Sequence, residues 1–136
     1  MNSEEGINTA TFIEMTESKV KALVENYLKQ LGYTVAKNPP MIQIGVWRRI
    51  PDVYARKGKK VLIVECKGGK EKNFYGVINA LGQVLAIKAH YPNYDIGIAV
   101  PSYWGEDCLS DTIRKAYQIK LLMTNTFLRL VTDVKD

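Results

Sequence analysis

Histidine and cysteine are scarce in this chain, and each scarcity closes off a class of chemistry. One histidine, His90, and two cysteines, Cys66 and Cys108, among 136 residues supply neither a disulfide framework nor a zinc cluster. A serine–histidine or cysteine–histidine catalytic pair would have only His90 to draw on, and that residue falls at the end of a predicted helix. No GxGxxG and no Walker-type loop occurs, which removes the common nucleotide-cradling signatures. Long hydrophobic runs are missing as well, since no apolar stretch approaches the ~20 residues of a membrane span. The opening MNSEEGINTA is polar and acidic, unlike a signal peptide, so an intracellular, cytoplasmic protein without a membrane partner is expected. Metal and acid–base chemistry is thereby left to carboxylates.

What is present is an ordinary globular composition with an uneven charge. Apolar content is 46%, charged content 24% and net charge +5. The length suits one domain over residues 1–136, with a polar segment over about 1–10 and a core over about 14–124. Residues 46–72 hold Arg48, Arg49, Arg56, Lys57, Lys59, Lys60, Lys67, Lys70 and Lys72 against only Asp52, Glu65 and Glu71. A positive field around a small acidic focus suits a polyanion backbone, because phosphate contacts supply most non-specific affinity for nucleic acid. Arg48, Arg49, Lys59, Lys60, Lys70 and Lys72 are the candidate nucleic-acid contacts; a solvated basic surface is the plainer reading of charge alone.

The acids sit in two short strings, Pro51-Asp52 and Glu65-Cys66-Lys67. Between them Val53-Tyr54-Ala55 is strand-prone, Arg56-Lys57-Gly58-Lys59-Lys60 is polar with a glycine free to take positive φ, and Val61-Leu62-Ile63-Val64 is apolar throughout. This predicts a hairpin whose second strand is buried on both faces. It would bring the two acidic strings together. Alternation places Glu65 and Lys67 on one face and Cys66 on the other, toward the core. A buried acid must be protonated, paired or metal-bound, and a structural pair of Glu65 or Asp52 with Lys67 is the simplest solution. Spacing alone is a weak signal, as Glu17-Ser18-Lys19 shares it inside a helical pattern.

Around the hairpin the elements alternate. Val20, Leu23, Val24, Tyr27, Leu28 and Leu31 predict an amphipathic helix over Thr16 to Leu31 that ends at Gly32. Projection puts Glu17 about 50° from the centre of its apolar stripe, with Glu14 and Glu25 beyond about 100°. Tyr33 to Lys37 reads as a strand, and Met41 to Trp47 as a continuation or separate strand with Ile42, Ile44 and Val46 on one face. Gly68-Gly69-Lys70 reads as a flexible basic loop. A helix follows over Asn73 to His90, with Val77, Ile78, Leu81, Leu85 and Ala89 on its apolar side, and then a buried strand over Tyr94 to Val100. A third helix over Glu106 to Tyr117 and a strand over Ile119 to Met123 complete an α/β pattern; the tail Phe127 to Asp136 is ambiguous between states. Trp47, Tyr103 and Trp104 suit either core packing or a base-stacking surface.

With Pro51-Asp52, the turn, and Glu65-Cys66-Lys67 in this order, residues 14–124 resemble the PD-(D/E)XK nuclease superfamily, the restriction-endonuclease-like group that includes Holliday-junction resolvases. The resemblance implies an αβββαβ core with a central mixed sheet flanked by helices, here followed by a C-terminal helix and strand. It also implies a Mg²⁺-dependent deoxyribonuclease acting in repair, recombination or restriction. Asp52, Glu65 and the Cys66 main-chain carbonyl would hold Mg²⁺, for which Mn²⁺ substitutes, and Lys67 would orient the attacking water and stabilise the transition state. An ammonium beside two carboxylates favours that role over general base. The resemblance calls for an acid on the first helix, best met by Glu17 with Glu14 and Glu25 open, and for a glutamine on the second, which falls on Gln83. It implies 5′-phosphate and 3′-hydroxyl products. Branched DNA, duplex, flaps, single strands and RNA all remain open as substrates, and a homodimer would serve to cut both strands. A catalytically silent nucleic-acid-binding module of the same fold is the alternative.

Overall fold

The computed structural model describes residues 14–104, 120–123 and 128–132. Helix α1 (Glu17–Gln30) starts one residue later than periodicity predicts, because Thr16 is its N-cap and accepts the Lys19 N–H through its hydroxyl. Its other end closes on glycine as expected. The Gly32 N–H bonds to the Lys29 carbonyl and the Tyr33 N–H to the Leu28 carbonyl, with Gly32 at φ 93°. Val20, Val24 and Leu28 are buried on one face of α1.

A short edge strand β1 (Thr34–Val35) precedes a hairpin arm, β2 (Ile42–Ile44) and β3 (Trp47–Arg49). The arm forms its own two-stranded sheet, so Met41 to Trp47 is not one strand. Val46 lies in the connecting turn and is fully exposed, contrary to the expectation that it shares a face with Ile42 and Ile44. Strands β4 (Val53–Lys57) and β5 (Lys60–Cys66) pair antiparallel, Val53 opposite Val64 and Lys57 opposite Lys60, around a turn with Gly58 at φ 62°. All residues of β5 from Val61 to Cys66 are buried.

Helix α2 (Phe74–His90), capped by the Asn73 side chain on the Gly76 N–H, crosses to β6 (Asp95–Pro101), which runs parallel to β5. The buried face of α2 is Gly76, Val77, Ala80, Leu81, Val84 and Ile87. It differs from the expected stripe: Ile78 and Ala89 are exposed, because the helix turns the side carrying Gly76, Ala80 and Ile87 to the core, a single stripe rotated away from Ile78, Leu85 and Ala89. A 3-10 turn at Ser102–Trp104 follows. Strands β7 (Lys120–Met123) and β8 (Leu128–Thr132) complete a six-stranded mixed sheet in the order β1-β4-β5-β6-β8-β7. The expected αβββαβ order with a mixed central sheet is present, the arm being inserted between the first two strands of the meander. Strand β8 resolves the ambiguous tail, pairing with both β6 and β7. The helix expected over Glu106 to Tyr117 lies outside the described residues, as does Cys108.

Two apolar layers sandwich the sheet. Under α1, Val20, Val24 and Leu28 meet Val53, Leu62, Val64 and Cys66; under α2, Val77, Leu81 and Val84 meet Ile96, Ile98 and Val100. A third cluster joins the arm to β5 through Ile42, Val61, Ile63 and Ile87. Among the described residues no helix is long and apolar enough to cross a membrane.

Candidate active site at the end of the central hairpin

Antiparallel pairing of β4 with β5 sets Asp52, just before β4, beside Glu65, near the end of β5. The two are tied reciprocally. The Asp52 N–H donates to Glu65 Oε2 at 2.9 Å, and the Cys66 N–H donates to Asp52 Oδ2 at 2.8 Å. The strings Pro51-Asp52 and Glu65-Cys66 are thus clipped together by their own backbones, at the edge of a core where Pro51 and Cys66 are buried.

Glu65 is 1% exposed, the one fully buried charged side chain among the described residues. Burial is the largest influence on its carboxyl and raises the pKa above the ordinary value; the Asp52 charge raises it further, while the Asp52 N–H and Arg49 pull it down. The partner of Glu65 is Arg49, from the separate arm. Arg49 Nε donates to Glu65 Oε1 at 2.6 Å and its Nη2 lies 2.5 Å from the same oxygen. The pairing of Glu65 with Lys67 that alternation suggests is not what forms. Lys67 lies past the last residue of β5, and its Nζ is 3.9 Å from Glu17 Oε1 at the start of α1. A signal for Arg49 existed in the sequence: a buried Glu65 demands a cation, and alternation in β3 turns Trp47 and Arg49 to one face and the exposed Arg48 to the other.

The end of α1 is held to this site by close backbone packing. A Cβ on Gly68 would lie 2.5 Å from the main chain of Met15, Thr16 and Glu17, so only glycine fits. The Gly69 N–H bonds to the Met15 carbonyl, and the Gly69 carbonyl accepts from Tyr103 Oη and Trp104 Nε1, while Tyr103 Oη accepts the Met15 N–H. The loop read as flexible is therefore clamped at Gly68-Gly69. Trp104 is buried and serves this clamp. Among the three helix acids, Glu17 reaches Lys67, whereas Glu14 is exposed before the helix and Glu25 lies two turns further along.

The basic residues divide into two groups. Arg48, Arg49, Lys67, Lys70 and Lys72 belong to segments at the acidic end, whereas Lys59 and Lys60 sit at the β4–β5 turn. Glu65 lies five residue steps from Lys60 along β5, about 17 Å at the rise of a strand. The positive charge does not encircle the acids, because a hairpin sends its turn to the far end of the sheet. Gln83 lies on α2 beside Ile44 and Trp47 of the arm, with its Oε1 buried and without a hydrogen-bond partner.

Among the described residues no group of three or more histidine, cysteine, aspartate or glutamate side chains could hold a metal ion. Mg²⁺ does not need such a cage, since it keeps several waters and takes one or two carboxylates. Asp52, Glu65 and the Cys66 carbonyl are hard oxygen donors clipped to one strand end, and Glu65 already attracts a cation, Arg49. The donor types suit such an ion, which at Glu65 would have to displace Arg49.

No family model matches the chain, and no curated protein matches it. Its fold is similar to that of an FdxN element excision controlling factor protein from Anabaena variabilis, with a TM-score of 0.56, 22% identity, and coverage of 75% of this chain and 87% of that one. At that identity the likeness is one of fold.

Proposed function

We propose that this chain is a Mg²⁺-dependent phosphodiester hydrolase acting on DNA. The observation that carries the reading is the reciprocal clip of Asp52 to Glu65 and Cys66, which brings two carboxylates together at the strand end that leads into Lys67. Asp52, Glu65 and the Cys66 carbonyl would hold the ion, with Mn²⁺ as a substitute. When bound there, a divalent ion polarises a phosphoryl oxygen and lowers the pKa of a water. Lys67 would orient an attacking water and stabilise negative charge growing on the phosphoryl oxygens, with Glu17 3.9 Å from its ammonium. Arg48, Lys70 and Lys72 contact the backbone near the site. Two subunits would supply the two cuts that a duplex requires.

The test incubates purified protein with Mg²⁺ or Mn²⁺ and labelled linear, flapped, four-way and single-stranded DNAs, and RNA. Cleavage should leave 5′-phosphates, and Lys67→Ala should slow it by about 100- to 1,000-fold. Asp52→Ala should remove it, and wild-type cutting by that variant sinks the assignment.

One observation favours a second reading, a catalytically silent nucleic-acid-binding module: Arg49 already neutralises Glu65. A metal titration separates the two. Mg²⁺ or Mn²⁺ binding that disappears in Glu65→Gln supports the enzyme, and nucleic-acid binding indifferent to metal supports the module.

A further inference from the structure

Between the β2–β3 arm and α2 lies an open groove of about 450 Å³, within the size range of small-ligand sites. Its walls are of two kinds. Ile44, Trp47 and Ile78 supply flat and apolar surface, while Asn79 and Gln83, one helical turn apart, supply two amides. Gly82 between them leaves open space where a side chain would stand. Gln83 lines the groove and its Oε1 has no hydrogen-bond partner, so a turn of the amide toward the groove would let it pair with a ligand N–H. An aromatic face, amide donors and acceptors, and one unsatisfied acceptor together match a nucleobase, which has a π-face and a polar edge.

The position of the groove matches too. Trp47 and Arg49 share a face of β3 two residues apart, about 7 Å, and Arg49 reaches Glu65. The groove therefore lies on the same face of the arm as the side chain that pairs with the Glu65 carboxylate.

We infer that this groove binds an unpaired nucleobase of the nucleic-acid substrate, stacked on Trp47 with its edge against Asn79 and Gln83. A base inside a duplex is stacked on both sides and cannot enter, so the groove selects single-stranded or locally unpaired substrate. The inference rests on the nucleic-acid reading above, and it does not require cleavage.

The experiment measures anisotropy of a labelled single-stranded oligonucleotide, and of a duplex of equal length, in metal-free buffer with wild type, Trp47→Ala, Trp47→Phe and Gln83→Ala. Circular dichroism checks each fold, and Trp47→Phe keeps an aromatic ring where alanine fails to fold. Trp47→Ala should weaken single-strand binding by about 10- to 100-fold with duplex binding unchanged. Trp47→Phe should lie between, and Gln83→Ala should lose several-fold. Single-strand binding should also quench tryptophan fluorescence in wild type but not in Trp47→Phe, where buried Trp104 is the remaining indole. Equal losses on both substrates, no loss, or quenching that persists in Trp47→Phe would overturn the groove. If Asp52→Ala still cuts DNA while Trp47→Ala loses single-strand binding, the hydrolase reading falls and the groove stands; an inactive Asp52→Ala beside an unaffected Trp47→Ala gives the reverse.

Discussion

Arg49 neutralises Glu65 from a different sheet. The carboxylate belongs to the buried central strand, and the guanidinium to a two-stranded arm that is separate from it in the hydrogen-bond ladder. Arg49 thereby stands where an incoming cation would be drawn. Arg49→Gln should leave Glu65 buried without a charge partner and destabilise the fold by about 2–3 kcal/mol. That is less than for a fully buried pair, because the Arg49 side chain is 31% exposed. The variant should then gain more from Mg²⁺ than wild type does, read as a larger rise in melting temperature with added metal. An equal or smaller rise would mean that Arg49 does not compete with metal for Glu65.

The raised Glu65 carboxyl sets a pH dependence with a definite sign. The folded state holds this proton more tightly than the unfolded chain does, so the stabilising contribution is complete below the ordinary value of 4.5 and is lost as pH rises through the raised value. Glu65→Gln does not titrate at this position. Wild-type stability relative to the variant should therefore fall as pH climbs from about 4.5 toward neutrality, measured by denaturant midpoints at each pH. A difference that stays level, or grows with pH, would contradict a raised Glu65.

The parts of this fold that were legible in the sequence are those set by local chemistry. Thr16 and Gly32 bound α1, and a polar turn between strand-prone runs produced β4 and β5 with Asp52 and Glu65 in apposition. Non-local effects were hidden. Arg49 looked like a phosphate contact because its partner lies sixteen residues away on another sheet. Gly68-Gly69 looked like a flexible loop because the residues that clamp it, Met15 and Tyr103, come from opposite ends of the described core. The buried face of α2 was misjudged because the stripe was centred by the large apolar residues Ile78 and Leu85, whereas the helix packs through the small residues Gly76 and Ala80 on an adjacent side.

Two glycines should respond oppositely to the same methyl group. Gly68→Ala drives a Cβ into main-chain atoms of Met15, Thr16 and Glu17, which cannot rotate away. It should cost about 1–3 kcal/mol and move Glu17 from Lys67. Gly82→Ala meets nothing within 4 Å in the interior of α2 and should stabilise by about 0.5–1 kcal/mol. Chemical denaturation of the two variants decides this, and equal effects would refute the packing argument.

Salt dependence should distinguish the two basic groups. Lys70 follows the clamped glycines at the acidic end, whereas Lys59 is in the turn at the far end of the hairpin. A phosphate bound beside Asp52 and Glu65 can contact the first without reaching the second. Lys70→Ala should therefore weaken DNA binding across sequences and reduce the slope of log affinity against log salt by about 1. Lys59→Ala should leave both nearly unchanged. If Lys59→Ala reduces the slope as much as Lys70→Ala, the bound strand runs along the length of β4 and β5, and contact confined to the carboxylate end is ruled out.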